Sequence, residues 1–261
     1  MSEISTVRLN RFALPAHPLG ALALTEKGTE LWLSSLLSVI GMMLGAQLVL
    51  ALAREFVALT ASVTGAAMLQ LAALGVFALA LGLYVIVLVA LTSRIWAFAQ
   101  QSDSGTLVAL RVALPRTVSA LGVALLYLVI VLLATVALIL PGMYLSVSLS
   151  MALPCLLFED LGVMAALKRS TQLTRGSWWR VGTVISIPVT VYVVTVFGVV
   201  LVAVLYTGFR DPEAGLVIGE AVRFNLNLAV AALTALFMPW VIAITLVVYH
   251  DLILREQHKA Q

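Results

Sequence analysis

The stretch Leu156-Leu-Phe-Glu-Asp-Leu-Gly-Val-Met-Ala-Ala-Leu-Lys-Arg-Ser-Thr-Gln-Leu-Thr-Arg-Gly-Ser-Trp-Trp-Arg180 interrupts an apolar chain with its densest run of charge. An apolar segment stops at Glu159 and Asp160, an amphipathic piece follows, and Gly176, Trp178 and Trp179 precede the next apolar segment. Read as a helix, the piece puts Val163, Ala166, Leu167, Ser170 and Thr174 on one face. Lys168, Gln172 and Arg175 share another face, with Arg169 beside them. Asp160 is the expected N-cap, its carboxylate meeting free N–H groups at the positive end of the helix dipole. Gly176 is the expected left-handed residue beyond the C-terminus. Glu159 is expected to pair with Lys168 or Arg169.

What lies on either side follows from counting. Hydrophobic residues make up 62% of the chain and charged residues 10%, a balance no water-soluble fold of this length can cover with polar surface. A helix needs roughly 20 apolar residues to cross a hydrocarbon core about 30 Å thick. Uncharged runs of 23, 38, 42, 29 and 27 residues separate Glu30 from Arg54, Glu55 from Arg94, Arg116 from Glu159, Arg180 from Arg210 and Arg223 from Asp251. The run before Glu159 is long enough for two crossings around Pro141 and Gly142.

The fold class is therefore an all-α polytopic membrane helical bundle. Six transmembrane helices are expected at about 31–53, 66–92, 117–140, 143–158, 181–206 and 226–249, flanked by segments 1–30 and 250–261. Amphipathic interfacial elbow helices are expected between spans two and three (Ser104–Pro115) and between spans four and five. With both termini cytoplasmic, twelve of the fifteen Lys and Arg residues fall inside, among them Arg8, Arg11, Lys168, Arg169, Arg175 and Arg180. Trp32, Trp96, Trp178 and Trp179 are placed at the interface, and Trp240 inside the bundle. The charges in the first 30 residues, with Pro15 and Pro18, predict no cleavable leader.

Residues with chemistry are few. Cys155 stands alone between Pro154 and Leu156 and reads as a small buried apolar residue. The spans so drawn contain no Asp, Glu, Lys, Arg or His, whereas ion-coupled transport ordinarily places such groups in the membrane. No metal-binding, nucleotide-binding or proteolytic motif is legible. The expectation is no catalysis, no cofactor, no metal and no nucleic-acid partner. Gly41 and Gly45 form a small-xxx-small pair for helix packing, within the chain or between chains. Pro188 and Pro239 are expected to kink spans five and six. Nearby hydroxyls Thr183, Ser186, Thr190 and Thr195 either re-satisfy the opened backbone or line a pathway. Asn225 and Asn227 cap or bond between helices.

The motif of Pro141, Gly142, Pro154, Glu159, Asp160, Ser170 and Gly176, in Leu140-Pro-Gly-Met-Tyr, Phe158-Glu-Asp-Leu-Gly and Ala166-Leu-Lys-Arg-Ser-Thr-Gln-Leu-Thr-Arg-Gly176, resembles a bacterial membrane-protein family. That family comprises the YciC-like inner-membrane proteins and the membrane domain attached to some glycerophosphodiester phosphodiesterases. The resemblance implies a six-helix protein of the bacterial inner membrane without a firmly established activity. No phosphodiesterase domain is read among these 261 residues, so that catalysis is not expected to carry over. Three functional readings stand at this point. One is membrane organisation or lipid handling, with anionic phospholipid on Lys168, Arg169, Arg175 and Arg180. Another is a passive transporter or channel for a small neutral or amphiphilic solute through the proline-containing spans. The last is assembly with a membrane-protein partner or a second copy.

Overall fold

The computed structural model describes residues 12–61, 67–102, 105–210 and 220–260. Eight helices make up the described residues: α1 (Ala21–Ala61), α2 (Ala67–Ala99), α3 (Thr106–Ala137), α4 (Ile139–Ser148), α5 (Ala152–Phe158), α6 (Val163–Thr174), α7 (Trp178–Arg210) and α8 (Glu220–Ala260). Arg8, Arg11, Ala66 and Ser104, used in the sequence reading, lie outside the described residues. Six segments are long and apolar enough to cross a membrane, with α4 and α5 together forming the fourth, Ile139–Phe158. The chain is a multi-pass membrane protein.

The helices run further than charge counting drew them. α1 and α8 have 41 residues each, about 60 Å at 1.5 Å per residue, twice the hydrocarbon thickness. Charged residues at their ends, Glu26, Lys27 and Glu30 in α1 and Asp251, Arg255 and Glu256 in α8, are therefore helical. The amphipathic piece ending at Pro115 is not a separate elbow. It is the first third of α3, which continues through Pro115 to Ala137. No glycine or turn signal follows that proline, and apolar residues on both sides let the helix propagate.

The fourth segment breaks at Leu149–Met151, and Pro154 explains where. A proline lacks an N–H and its ring collides with the carbonyl four residues earlier, but both defects vanish in a first helical turn. Pro154 therefore sits in the first turn of α5 and Pro141 in that of α4. Shorter-range bonds bridge the break, Ser150 N to the Val147 carbonyl at 3.2 Å and Ala152 N to the Leu149 carbonyl at 3.0 Å.

Close crossings hold the bundle. A Cβ on Gly28 would lie 2.4 Å from Ile244 Cγ1, so α1 and α8 meet backbone against side chain there. One turn on, Trp32 stacks on Trp240 at 5.4 Å, and Trp240 Nε1 donates to Thr29 Oγ1 at 3.0 Å. Trp240 packs against the core of the bundle as expected, and Trp32 packs with it. Trp96 is likewise packed, against Phe158 at 4.8 Å. A Cβ on Gly142 would strike Thr135 at the α3–α4 hairpin. Gln47 Nε2 donates to Tyr84 of α2, Asn227 Nδ2 to Glu55 of α1, and the Tyr192 and Thr234 hydroxyls join α7 to α8 at 2.9 Å.

Gly41 and Gly45 do not serve packing within the chain. Both are exposed, with open space where a Cβ would stand, beside the fully outward Leu37. Their face of α1 is turned away because Val39, Met43, Ala46 and Leu50 occupy the inner face. Pro188 and Pro239 lie inside α7 and α8, each one continuous helix. Thr183, Ser186 and Thr195 donate to carbonyls of α7 itself, at Trp179, Thr183 and Val191. None reaches the Val184 carbonyl that Pro188 leaves free.

Gly28→Leu is expected to lower the thermal midpoint of the detergent-solubilised protein, since overpacking a tight contact costs about 1–3 kcal/mol. Gly41→Leu is expected to leave that midpoint unchanged. Equal destabilisation by both would contradict the crossing geometry.

Candidate functional site at the charged end of the bundle

The segment before α1, the turn after α2, the first third of α3, the end of α5, α6, the start of α7 and the end of α8 meet at one end of the molecule. At its centre is Asp251, which is 2% exposed. A carboxylate removed from water needs charge and hydrogen bonds to survive. Asp251 Oδ2 accepts from Arg180 Nη2 at 2.6 Å and from Arg255 Nε at 2.9 Å, and Oδ1 accepts from the Leu19 amide at 2.7 Å. The Leu19 carbonyl in turn accepts from both arginines. The segment before α1 is thus strapped across the end of the bundle. His250 Nε2 on the Pro15 carbonyl at 3.0 Å and Gln101 Nε2 on the Phe12 carbonyl at 3.3 Å extend the strap, and Phe12 is buried.

A second carboxylate organises α6. Arg169 Nε donates to Glu159 Oε2 at 2.8 Å, and Tyr249 donates to Glu159 Oε1 at 3.1 Å. The two terminal nitrogens of Arg169 meet both oxygens of Glu256 at 2.7 and 2.6 Å, a bidentate fork. The Glu256 fork, against the cost of burial and with help from Glu159, pushes the guanidinium above the usual arginine value. The expected pairing of Glu159 with Arg169 is present, and Lys168 takes no part in it.

Asp160 does not cap α6. The N-cap position is Gly162, without a side-chain bond, while Asp160 adopts φ 49° and pairs with Arg116 of α3. Arg116 also donates to the Leu157 carbonyl, so one guanidinium serves an open carbonyl near the end of α5 and the acid beyond it. That distant cation wins the carboxylate from the backbone N–H groups two residues on. At the other end of α6 the expectation holds: Arg175 is the C-cap and Gly176 follows at φ 83°, a conformation that suits a residue without Cβ.

Ser170 has a role that its place on the apolar face only hinted at. Fully buried, its Oγ donates to the Ser148 carbonyl at 2.8 Å and accepts from the Met151 amide at 3.1 Å. These are backbone groups opened by the break between α4 and α5. Thr174 Oγ1 adds a bond to the Ser148 carbonyl at 3.3 Å. α6 therefore turns back along α5 and closes the break, which in an apolar surrounding would cost several kcal/mol per open group.

The four cations of the sequence reading are divided by this geometry. Arg169 and Arg180 are committed to internal ion pairs. Lys168 and Arg175 are exposed and make no ion pair among the described residues. At the turn that follows Arg175 a pocket of about 390 Å³ is lined by Gly176, Ser177, Trp178, Trp179, Arg180 and Arg255. Trp178 forms part of its wall through a 3.0 Å bond from Nε1 to the Tyr144 carbonyl and a stack on the Tyr144 ring. Sequence reasoning missed Asp251 and Arg255 as members of this site. The signal available was their i, i+4 spacing at the end of the last apolar run.

These features define a class: a multi-pass helical membrane protein with a cluster of internally paired charges at one end of its bundle. Residues 125–261, from within α3 to the last residue, match the family described as the membrane domain of glycerophosphoryl diester phosphodiesterase, and the chain belongs to that family. No curated protein and no solved structure matches it. Ser170, Glu159, Arg169, Asp251 and Arg255 all lie in the matched part.

Ser170→Ala is expected to destabilise the protein by about 1–3 kcal/mol, the cost of leaving buried backbone groups unpaired. Ser170→Thr keeps the hydroxyl and serves as the control. The check is denaturant unfolding in mild detergent followed by tryptophan fluorescence. An alanine variant as stable as wild type would deny the closure.

Proposed function

We propose that this chain is a non-enzymatic protein of the bacterial inner membrane, with both termini cytoplasmic. It serves membrane organisation or lipid handling by holding anionic phospholipid against α6 and the turn that leaves it. The observation that carries this reading is the division of the cations. Arg169 and Arg180 are tied to internal acids, whereas Lys168 on α6 and Arg175 at its C-cap stay exposed, and Trp179, at 81% exposure, follows four residues after Arg175. A basic residue at an anionic membrane surface contributes about 1 kcal/mol, and indole prefers the headgroup region. α6 then lies at the cytoplasmic interface.

A passive pathway between α7 and α8 has less support, because the α7 hydroxyls Thr183, Ser186 and Thr195 are bonded to their own helix. The exposed Gly41 and Gly45 face supports contact with a membrane-protein partner or a second copy.

Native mass spectrometry of the detergent-purified protein tests the lipid reading. Wild type is compared with Lys168→Glu/Arg175→Glu, which spares the arginines that hold the fold. Reversing two such charges is expected to reduce retained phosphatidylglycerol relative to phosphatidylethanolamine by at least about tenfold. Equal retention of both lipids by both proteins would end the proposal. The same spectra report subunit number and any co-purifying membrane protein.

A further inference from the structure

We infer that the pocket at the α6–α7 turn is a binding site for the phosphodiester group of a membrane phospholipid, held by Arg180 and Arg255. The inference rests on the lipid reading above and assigns it a ligand chemistry. Charge is the first reason. Two guanidiniums line the pocket, and the acid they share is the single carboxylate of Asp251. Their side chains are 21% and 32% exposed and that of Asp251 is 3% exposed. The Arg180–Asp251–Arg255 group therefore carries one positive charge in excess, on guanidiniums that are only partly exposed. A phosphodiester carries one negative charge and balances it, where a doubly charged phosphomonoester would overshoot.

Hydrogen-bonding capacity is the second reason. A guanidinium offers five N–H donors. Arg180 commits only Nη2, to Asp251 and the Leu19 carbonyl. Arg255 commits Nε and Nη2 to the same two groups. Arg180 Nε and Nη1 and Arg255 Nη1 have no protein partner among the described residues, and the bonds to Asp251 and Leu19 hold both forks in place. Two guanidiniums held side by side in this way, each with N–H donors to spare, can bond different oxygens of one phosphate. Ser177 adds a hydroxyl, and the exposed Trp179 offers an apolar wall for the glycerol and the start of an acyl chain. A lipid satisfies both halves of this site, and a free anion satisfies only one.

The test is a titration of delipidated protein in detergent, followed by tryptophan fluorescence. The probes are dioctanoyl phosphatidylglycerol, dioctanoylglycerol and inorganic phosphate. Two variants probe the pocket. Ser177→Asp brings a second carboxylate to it without touching the Asp251 cluster, and keeps a residue suited to the start of α7, since Ser177 accepts that helix's first backbone bond from Val181. Arg255→Gln removes the charge excess from the other side.

Wild type is expected to saturate with dioctanoyl phosphatidylglycerol. Ser177→Asp, at an unchanged melting temperature, and Arg255→Gln are each expected to weaken binding by at least about tenfold, a change of 1.4 kcal/mol. Dioctanoylglycerol is expected not to bind. Three results would overturn the inference: wild-type affinity in Ser177→Asp, equal binding of dioctanoylglycerol, or saturation by inorganic phosphate alone. The two readings fail separately. Loss of binding in the pocket variants with none in Lys168→Glu/Arg175→Glu removes the outer basic surface and keeps the pocket. The reverse pattern removes the pocket and keeps the surface.

Discussion

One buried carboxylate, Asp251, sets the geometry of the end of the molecule where all its conspicuous chemistry lies. Leaving an ion of this kind unpaired in a low-dielectric setting is strongly destabilising, about 3–5 kcal/mol when one partner of a buried pair is removed. The protein meets that demand with partners from three places far apart in sequence: Leu19 before α1, Arg180 in the first turn of α7, and Arg255 one turn along α8. Once they converge, the pre-α1 strap, the start of α7 and the end of α8 have no freedom to separate. The exit of α6 is placed as a consequence.

A second constraint comes from the apolar environment. Pro154 forces a break between α4 and α5, and a break exposes backbone groups that lipid cannot satisfy. Ser170 and Thr174 close it from α6, and Arg116 closes the carbonyl of Leu157. α6 is thus a strut before it is anything else. With Arg169 committed to Glu159 and Glu256, the strut is also locked to α8. Lys168 and Arg175 are exposed and make no ion pair among the described residues, which is why the proposed lipid contact falls on them.

Much of this architecture is legible in the sequence, because its causes are local or compositional. Span number follows from run lengths against membrane thickness, the Gly176 turn from backbone sterics, and the Glu159–Arg169 pair from spacing across a short turn. What is not legible depends on partners hundreds of residues apart. Leu19 and Asp251 are separated by 232 positions, and nothing near either marks the other. The Asp160 cap fails for the same reason, since a competing arginine arrives from 44 residues away. The Gly41–Gly45 pair shows the limit of motif reading: small residues permit close packing, but only the assembled helices show that this face points outward.

Hydrogen–deuterium exchange around the Leu19 amide is the most direct measure of whether Asp251 organises this end. The amides before α1 are expected to exchange slowly in wild type. In Asp251→Asn they are expected to lose protection together with the first turn of α7, while the α3–α4 hairpin is unchanged. Fast exchange of the pre-α1 segment in wild type, or protection untouched by the substitution, would contradict the account.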